Sequence, residues 1–291
     1  MSALTELQEI VQRVEEQVGP AVVGVGRAGS GLVVAQDSVL TNAHNLRDEQ
    51  VTVRFPDGRR IEGVVAGVDV DRDLAVVRAE TGAAPPLEWA KELPGLGAAV
   101  FGVANPGGAG LRIGFGLVSA AGRSFRGPRG RLIAPAIEHD AALPRGSSGS
   151  PLVNADGHLV GINTLRLDGG LIGAIGADAA LRDRVEALAR GESEQQIRLG
   201  VALAPAYAAR RMRRAVGLTE RDGLLVQRVE QGSPAERAGL ERGDLLVAAG
   251  GRPLAGLDDL FAELDTAESR LELTVVRVDD ERHVTVELGS G

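Results

Sequence analysis

The 291-residue sequence contains no cysteine. Disulfides, thiol nucleophiles and thiolate metal sites are therefore excluded. Aromatic residues are scarce, at 2% of the chain, so any core has to be filled with Val, Leu, Ile and Ala. The four histidines are His44, His139, His158 and His283. No two of them stand at metal-ligand spacing, and neither a metal nor another cofactor is expected. No run of about 20 apolar residues occurs, so no membrane span is expected. Residues 1–18 carry Glu and Gln throughout and lack the basic stretch and apolar run of a secretory leader. The expectation is a cytoplasmic protein, although removal of a leader produces the same appearance. With 40 acidic and 32 basic residues and a net charge of −8, there is no broad basic surface for nucleic acid. The one local basic run, Arg210, Arg211, Arg213 and Arg214, reads as a solvated helix face.

What is present is glycine, 40 residues of it, which points to many turns and a β-rich part. The length fits one domain of about 200 residues and one of about 90. In residues 2–18, Leu4, Leu7, Ile10, Val11, Val14 and Val18 stand at helical spacing ahead of Gly19-Pro20, which predicts an amphipathic helix. From Ala21 to about Ile175, short Val/Leu/Ile runs alternate with Gly, Pro, Asn and Asp clusters. That spacing predicts a sandwich or barrel of many short strands. A helix is expected near Ala179–Ala189, and the polar stretch that follows marks a domain boundary. The expected division is 1–190, a linker at 191–196, and 197–291. In the last part, Ser233-Pro234-Ala235-Glu236 reads as a capping box. Gly250-Gly251 reads as a hairpin turn, and a second helix is expected over Leu257–Leu264. That is a small β-domain with two helices.

Three segments carry chemistry. In Gly146-Ser147-Ser148-Gly149-Ser150-Pro151, small residues let the backbone turn tightly, so that the N–H groups of Gly146 and Ser148 can converge on one spot beside the Ser148 hydroxyl. Ser38–His44 reads as a strand running into a polar turn that carries one imidazole. In Asp69-Val70-Asp71-Arg72-Asp73, three carboxylates compete to orient that imidazole. Asp73 directly enters the apolar run Leu74–Val77 and is the one placed for burial, whereas Asp69 and Asp71 read as solvated turn residues. The order His44, Asp73, Ser148 is one known solution of the serine-hydrolase triad. Each segment alone is an ordinary turn or loop; their joint occurrence is the signal.

These segments resemble the HtrA/Deg serine proteases. Gly29-Ser30-Gly31-Leu32 resembles the family's glycine-serine-glycine strand, Leu40-Thr41-Asn42-Ala43-His44 its histidine motif, and Asp73-Leu74-Ala75-Val76-Val77 its aspartate motif. Phe101–Pro106, Gly116–Arg123 and Asp140–Pro151 resemble further family motifs, and the resemblance runs from about Val14 to Leu288. It implies a mainly β chain: a chymotrypsin-like double β-barrel protease domain followed by a small α+β PDZ domain. It implies a serine endopeptidase acting on unfolded or damaged polypeptides, with an oxyanion hole from Gly146, Ser147 and Ser148. Ala142 and Leu143 fall where the family's primary specificity (S1) pocket lies, which implies cleavage after small aliphatic residues. Arg123 falls at the family's regulatory sensing-loop arginine. Leu199, Gly200 and Val201 fall at the PDZ loop that holds a C-terminal peptide. A homotrimer is also implied, although the N-terminal aromatic residues used for trimer contacts are absent.

The departures are informative. Ser147 and Ser150 stand where the family has Asn and Gly, and Ser150 is expected to add a Cβ beside the substrate path. Asn45-Leu46 replaces two aliphatics after His44, and the segment between Val25 and Gly29 is too short for a long regulatory loop. Ser147, Ser150 and Asn45 favour an alternative of another class, a weakly active or inactive protease-like scaffold that binds peptides or acts as a chaperone. A glycine-rich nucleotide site at Asn105–Gly110 is weak, because no helix follows it.

Overall fold

The apolar stripe of the first residues becomes α1 (Ala3–Val18), capped by the Ser2 hydroxyl, which accepts from Thr5 N–H at 3.3 Å. Val14 and Val18 are fully buried in the core, and Leu7, Ile10 and Val11 pack against it, so the stripe lies on the domain behind it except at Leu4, which is exposed. The computed structural model describes residues 2–127, 130–193, 199–204 and 206–288. The chain divides into two units, Met1–Glu194 and Gln195–Gly291. Residues 194–196 of the expected linker, and Ile197 and Arg198 at the start of the expected second domain, lie outside the described residues.

The first unit holds two closed six-stranded barrels, as expected. β1 (Val22–Val25), β2 (Gly29–Ala35), β3 (Ser38–Thr41), β4 (Gln50–Arg54), β5 (Arg60–Asp69) and β6 (Leu74–Arg78) close in the order β1-β2-β3-β6-β5-β4. β7 (Ala99–Ala104), β8 (Arg112–Arg126), β9 (Leu132–His139), β10 (Pro151–Val153), β11 (Leu159–Arg166) and β12 (Ile172–Gly176) close in the order β10-β11-β12-β9-β8-β7. Every residue of β12 is buried. α2 (Ala179–Ala189) follows, with Asp178 accepting from Leu181 N–H at 2.8 Å as its N-cap.

Aliphatic side chains fill both barrels. Leu32, Leu40 and Leu74 in one and Leu159 and Ile162 in the other belong to a single buried cluster, with Phe55, Phe101 and Phe125 as its only buried aromatics among the described residues. Each such side chain contributes about 1.5–3 kcal/mol when withdrawn from water.

The second unit is a sheet with order β13-β14-β15-β17-β18. Its strands are β13 (Val201–Ala204), β14 (Leu224–Val229), β15 (Leu245–Ala249), β17 (Arg270–Arg277) and β18 (Asp280–Glu287), with β16 (Arg252–Pro253) paired to β15 across the Gly250-Gly251 turn. Its helices are α3 (Ala206–Ala215), α4 (Pro234–Arg237) and α5 (Leu257–Thr266). Ser233 Oγ accepts from Glu236 N–H at 3.1 Å, completing the expected cap of α4. The basic run on α3 is not wholly solvated. Arg213 is buried, and its guanidinium donates to Thr219 O, Val278 O and Asp279. Among the described residues, no helix is long and apolar enough to cross a membrane.

Asp69 differs from its reading as a solvated turn residue. It is 1% exposed and is held by the guanidinium groups of Arg184 at 2.7 Å and Arg72 at 3.0 Å. Burial pushes its carboxyl group up; the Arg72 N–H, Arg184 and the Arg72 side chain outweigh burial and hold it below the ordinary carboxylate value. A depressed carboxyl pKa stabilises the fold above the unfolded value of about 4 and loses that contribution as pH falls through the folded value. Asp69→Asn is therefore expected to cost about 3 kcal/mol at pH 7 and progressively less below pH of about 4. Denaturant titrations at neutral and acid pH measure this, and an equal cost at both would exclude the charge as the cause.

Candidate active site

Strand register decides which loops meet. Leu40 pairs with Val76 and Thr41 with Ala75 between β3 and β6. The turn that leaves β3 and the turn that enters β6 therefore sit at one corner of the first barrel. The first carries His44 in a short 3₁₀ turn, Ala43–Asn45, and the second carries Asp73. Ala43 N–H donates to Asp73 O at 3.1 Å, and Asn42 Nδ2 donates to the same oxygen at 2.7 Å. Asp73 has a φ of 57°, a left-handed conformation costly for a residue with a side chain. These backbone bonds hold it there.

The carboxylate faces the imidazole. Asp73 Oδ1 accepts from His44 N–H at 3.0 Å, and Asp73 Oδ2 lies 2.7 Å from His44 Nδ1. The Asp73 side chain is 3% exposed and the His44 ring 33%. A buried carboxylate on Nδ1 places the ring proton there and leaves Nε2 as the acceptor on the open side. Of the three competing aspartates, only Asp73 reaches the ring. Asp69 is spent on Arg72 and Arg184, and Asp71 lies 3.1 Å from Arg131.

Ser148 lies in the turn before β10 and belongs to the second barrel. Its carbonyl accepts from Ser30 N–H at 3.0 Å and from Asn45 Nδ2 at 2.9 Å. Gly149 N–H donates to Asn163 O at 2.7 Å, and Ser150 N–H to Ser147 O at 3.0 Å. Glycine is required at 149: a Cβ there would stand 2.3 Å from Ser30 O, at a φ of 86°. Among the described residues, the N–H groups of Gly146, Ser147 and Ser148 have no protein acceptor. They border a cleft of about 290 Å³ lined by Pro144, Gly146, Ser148, Thr164, Arg166 and Ile172 among others. Ser148 Oγ donates to Thr164 O at 2.8 Å, and among the described residues it makes no hydrogen bond to His44.

The other predicted positions fall variously. Ala142 is exposed and does not line this cleft. Leu143 is buried against Ala104 and Ile172, and its carbonyl accepts from Arg166 at 2.7 Å. Ser147 Oγ turns to Pro144 O at 2.8 Å. Ser150 is fully buried, and its Oγ accepts from Asn163 Nδ2 at 3.0 Å; it points into the barrel and not along a substrate path. Arg123 is exposed on β8, opposite Ala136 on β9. In the second unit, Gly200 has a φ of 77° and accepts from Glu230 N–H, Leu199 accepts from Ala235 N–H, and Val201 opens the sheet-edge strand β13. The Asn105–Gly110 loop is spent internally: Asn105 is buried and binds Val22 O and Gly110 N–H.

Sequence reasoning passed over Thr164 and Asn163. Their signal is two polar residues following the apolar Leu159–Ile162 in the interior of β11.

A trypsin-like peptidase domain model matches residues 29–162, and a PDZ domain model matches residues 225–277. The chain is 36% identical over 278 residues to HhoA of Synechocystis sp., which carries the name of a serine protease; the match spans 89% of this chain and 70% of that one. It is 34% identical over 273 residues to a Hahella chejuensis protein named "Probable periplasmic serine endoprotease DegP-like", over 90% of this chain but only 56% of that protein. This chain therefore spans little more than half of that relative's length. The cytoplasmic expectation finds no support in a relative named periplasmic. A solved structure titled "HtrA-type protease AlgW with decapeptide" shares the fold, with a TM-score of 0.65 at 23% identity over 96% of this chain and 98% of that one.

Asn45→Leu removes the amide donor to Ser148 O and leaves the Ser30 donor in place. The expected cost is about 1 kcal/mol of unfolding free energy, measured by denaturant titration. Unchanged stability would leave Asn45 without a structural share in the site.

Proposed function

Because this chain belongs to the HtrA/Deg family of serine proteases, with a trypsin-like peptidase domain and a PDZ domain, we propose that it is a serine endopeptidase in which His44, Asp73 and Ser148 form the catalytic triad. The observation that carries this reading is the 2.7 Å contact between His44 Nδ1 and Asp73, close to a turn that presents Ser148 and three undirected N–H groups to a cleft. On this reading residues 1–190 form the protease domain and 197–291 the PDZ domain, joined by the linker 191–196.

The chemistry is acyl transfer to water. Ser148 Oγ rotates from Thr164 O toward His44 Nε2, loses its proton to that nitrogen and attacks the peptide carbonyl. Asp73 holds the imidazole tautomer and stabilises the cation that forms. The N–H groups of Gly146, Ser147 and Ser148 receive the oxyanion. His44 then donates its proton to the leaving amine, and water repeats the sequence on the acyl-enzyme.

The cleft suits small aliphatic side chains: Ile172 supplies an apolar wall, and the guanidinium of Arg166 opposes Lys or Arg. Leu143 would act from behind this wall, packed against Ile172, whereas Ala142 is exposed and outside the cleft. Substrates are unfolded or damaged polypeptides. C-terminal peptides add a strand along β13, with their carboxylate at Leu199, Gly200 and Val201. Regulation through Arg123 and assembly as a homotrimer are carried by the family resemblance alone.

One observation favours a second reading, a weakly active peptide-binding scaffold: the Ser148 hydroxyl is engaged by Thr164 O and not by His44. A fluorophosphonate probe separates the two. Labelling of the full chain that disappears in Ser148→Ala and His44→Ala is expected, with kcat in Asp73→Asn lower by on the order of 10⁴. A chain that never labels would be the scaffold. Gly200→Leu places a side chain where a Cβ would stand 2.2 Å from Ser233 Cβ. It is expected to abolish C-terminal peptide binding in calorimetry while labelling persists; retained binding would remove the peptide assignment.

A further inference from the structure

His139 is fully buried at the end of β9 and takes no part in the chemistry described so far. Both ring nitrogens are engaged. Ala141 N–H donates to Nδ1 at 3.2 Å, so Nδ1 is an acceptor and the proton sits on Nε2. Nε2 then donates to Asn163 Oδ1 at 2.7 Å. That bond sets the amide of Asn163, because its oxygen must face the imidazole N–H. The Asn163 Nδ2 is thereby aimed at the turn of Ser148, where it donates to Ser150 Oγ at 3.0 Å, Pro151 O at 3.1 Å and Ser150 O at 3.3 Å. The backbone of Asn163 binds the same segment, accepting from Gly149 N–H at 2.7 Å and donating to Ser150 O at 2.9 Å.

We infer that His139 is a positioning residue for the nucleophile turn, acting through the Asn163 amide on Ser150. Reversing that amide would set its NH₂ against the Nε2 proton and its oxygen against two carbonyls, all of them buried. Such mismatches leave buried polar groups unpaired, so one tautomer of one ring selects one arrangement of the turn. His139 has to be neutral for this, since a second ring proton would face Ala141 N–H. Burial pushes the imidazole below its ordinary value, against the opposing effects of its bond to Asn163 and of the Asp140 charge. The inference also assigns a purpose to Ser150, whose hydroxyl gives the Asn163 amide an acceptor that a glycine would lack. A buried histidine that only fills space would satisfy its own nitrogens and stop there; this one is the first link of a chain that ends one residue from Gly149.

This inference deepens the endopeptidase reading and rests on it for the role of Ser148. It is tested in the full chain with His139→Leu, Ser150→Gly and the double variant, by second-order fluorophosphonate labelling rates and by melting temperature. Each single change is expected to slow labelling by about tenfold, and the double variant to fall within about twofold of the slower single one. His139→Gln, which retains an N–H for Asn163 Oδ1, is expected to recover most of the rate, and it keeps the test available if His139→Leu folds poorly. Additive losses, or a Gln variant as slow as a folded Leu variant, would overturn the inference. Amide exchange at Gly149 reads the linkage without catalysis. Faster exchange in His139→Leu at unchanged melting temperature supports it even if the unaltered chain fails to label, which would sink only the endopeptidase reading. Unchanged exchange overturns it.

Discussion

The two barrels of the first unit are joined at the site by hydrogen bonds that converge on Ser30. Its N–H donates to Ser148 O, and its hydroxyl donates to Gly146 O and accepts from Asn105 N–H. Its carbonyl accepts from Thr41 Oγ1, one turn before His44. His44 and Asp73 belong to the first barrel and Ser148 to the second, so neither barrel alone places all three. Ser30 is fully buried, and its bonds form where water cannot compete for them. Asn45 adds a second strap across the same seam, from the residue next to the imidazole to the carbonyl of the serine.

Burying so many polar groups is costly unless they are paired. This chain offsets most of that cost by making side chains satisfy backbone, although Asn42 Oδ1 is buried without a hydrogen-bond partner. Asn42 holds Asp73 O, Thr41 holds Ser30 O, and Asn163 holds the segment from Ser150 to Pro151. The same economy explains why Asp73 tolerates a left-handed backbone. Its carboxylate, its carbonyl and its N–H are all engaged by neighbouring turns. The Ser148 hydroxyl is the contrast. It is bound to Thr164 O, an arrangement that a rotation about a single bond can undo. The backbone of the turn is held by several bonds and the hydroxyl by one.

The helix α1, the many short strands and the order of the three motifs were legible because each has a local signature: spacing of apolar residues, turn residues between strands, and polar side chains at strand ends. That the strands close as two barrels, and not as a sandwich, came from the family resemblance. The choice of Asp73 over its neighbours was legible for the same reason, since only Asp73 enters an apolar run. Asp69 was misread because its partner Arg184 is 115 positions away on α2, and no local pattern reports that distance. Ser150 was misplaced because a turn in sequence does not say which way a side chain faces; the register of β10 against β11 turns it inward onto Asn163. Ala142 was assigned to the substrate pocket by motif position, whereas the packing of Leu143 against Ala104 and Ile172 leaves it outside the cleft.

By itself, then, the sequence determined the residue types available for chemistry. It also determined the strand-and-turn grammar that folds them and the glycines without which the Ser148 turn cannot form, because these follow from side-chain size and backbone freedom. Only the tertiary structure decided which carboxylate meets which cation, that Ser150 serves the interior, and that His139 reaches the Ser148 turn through Asn163. The physical reason is that hydrogen bonds and ion pairs depend on distances of about 3 Å between atoms. The pairing of strands far apart in sequence sets those distances.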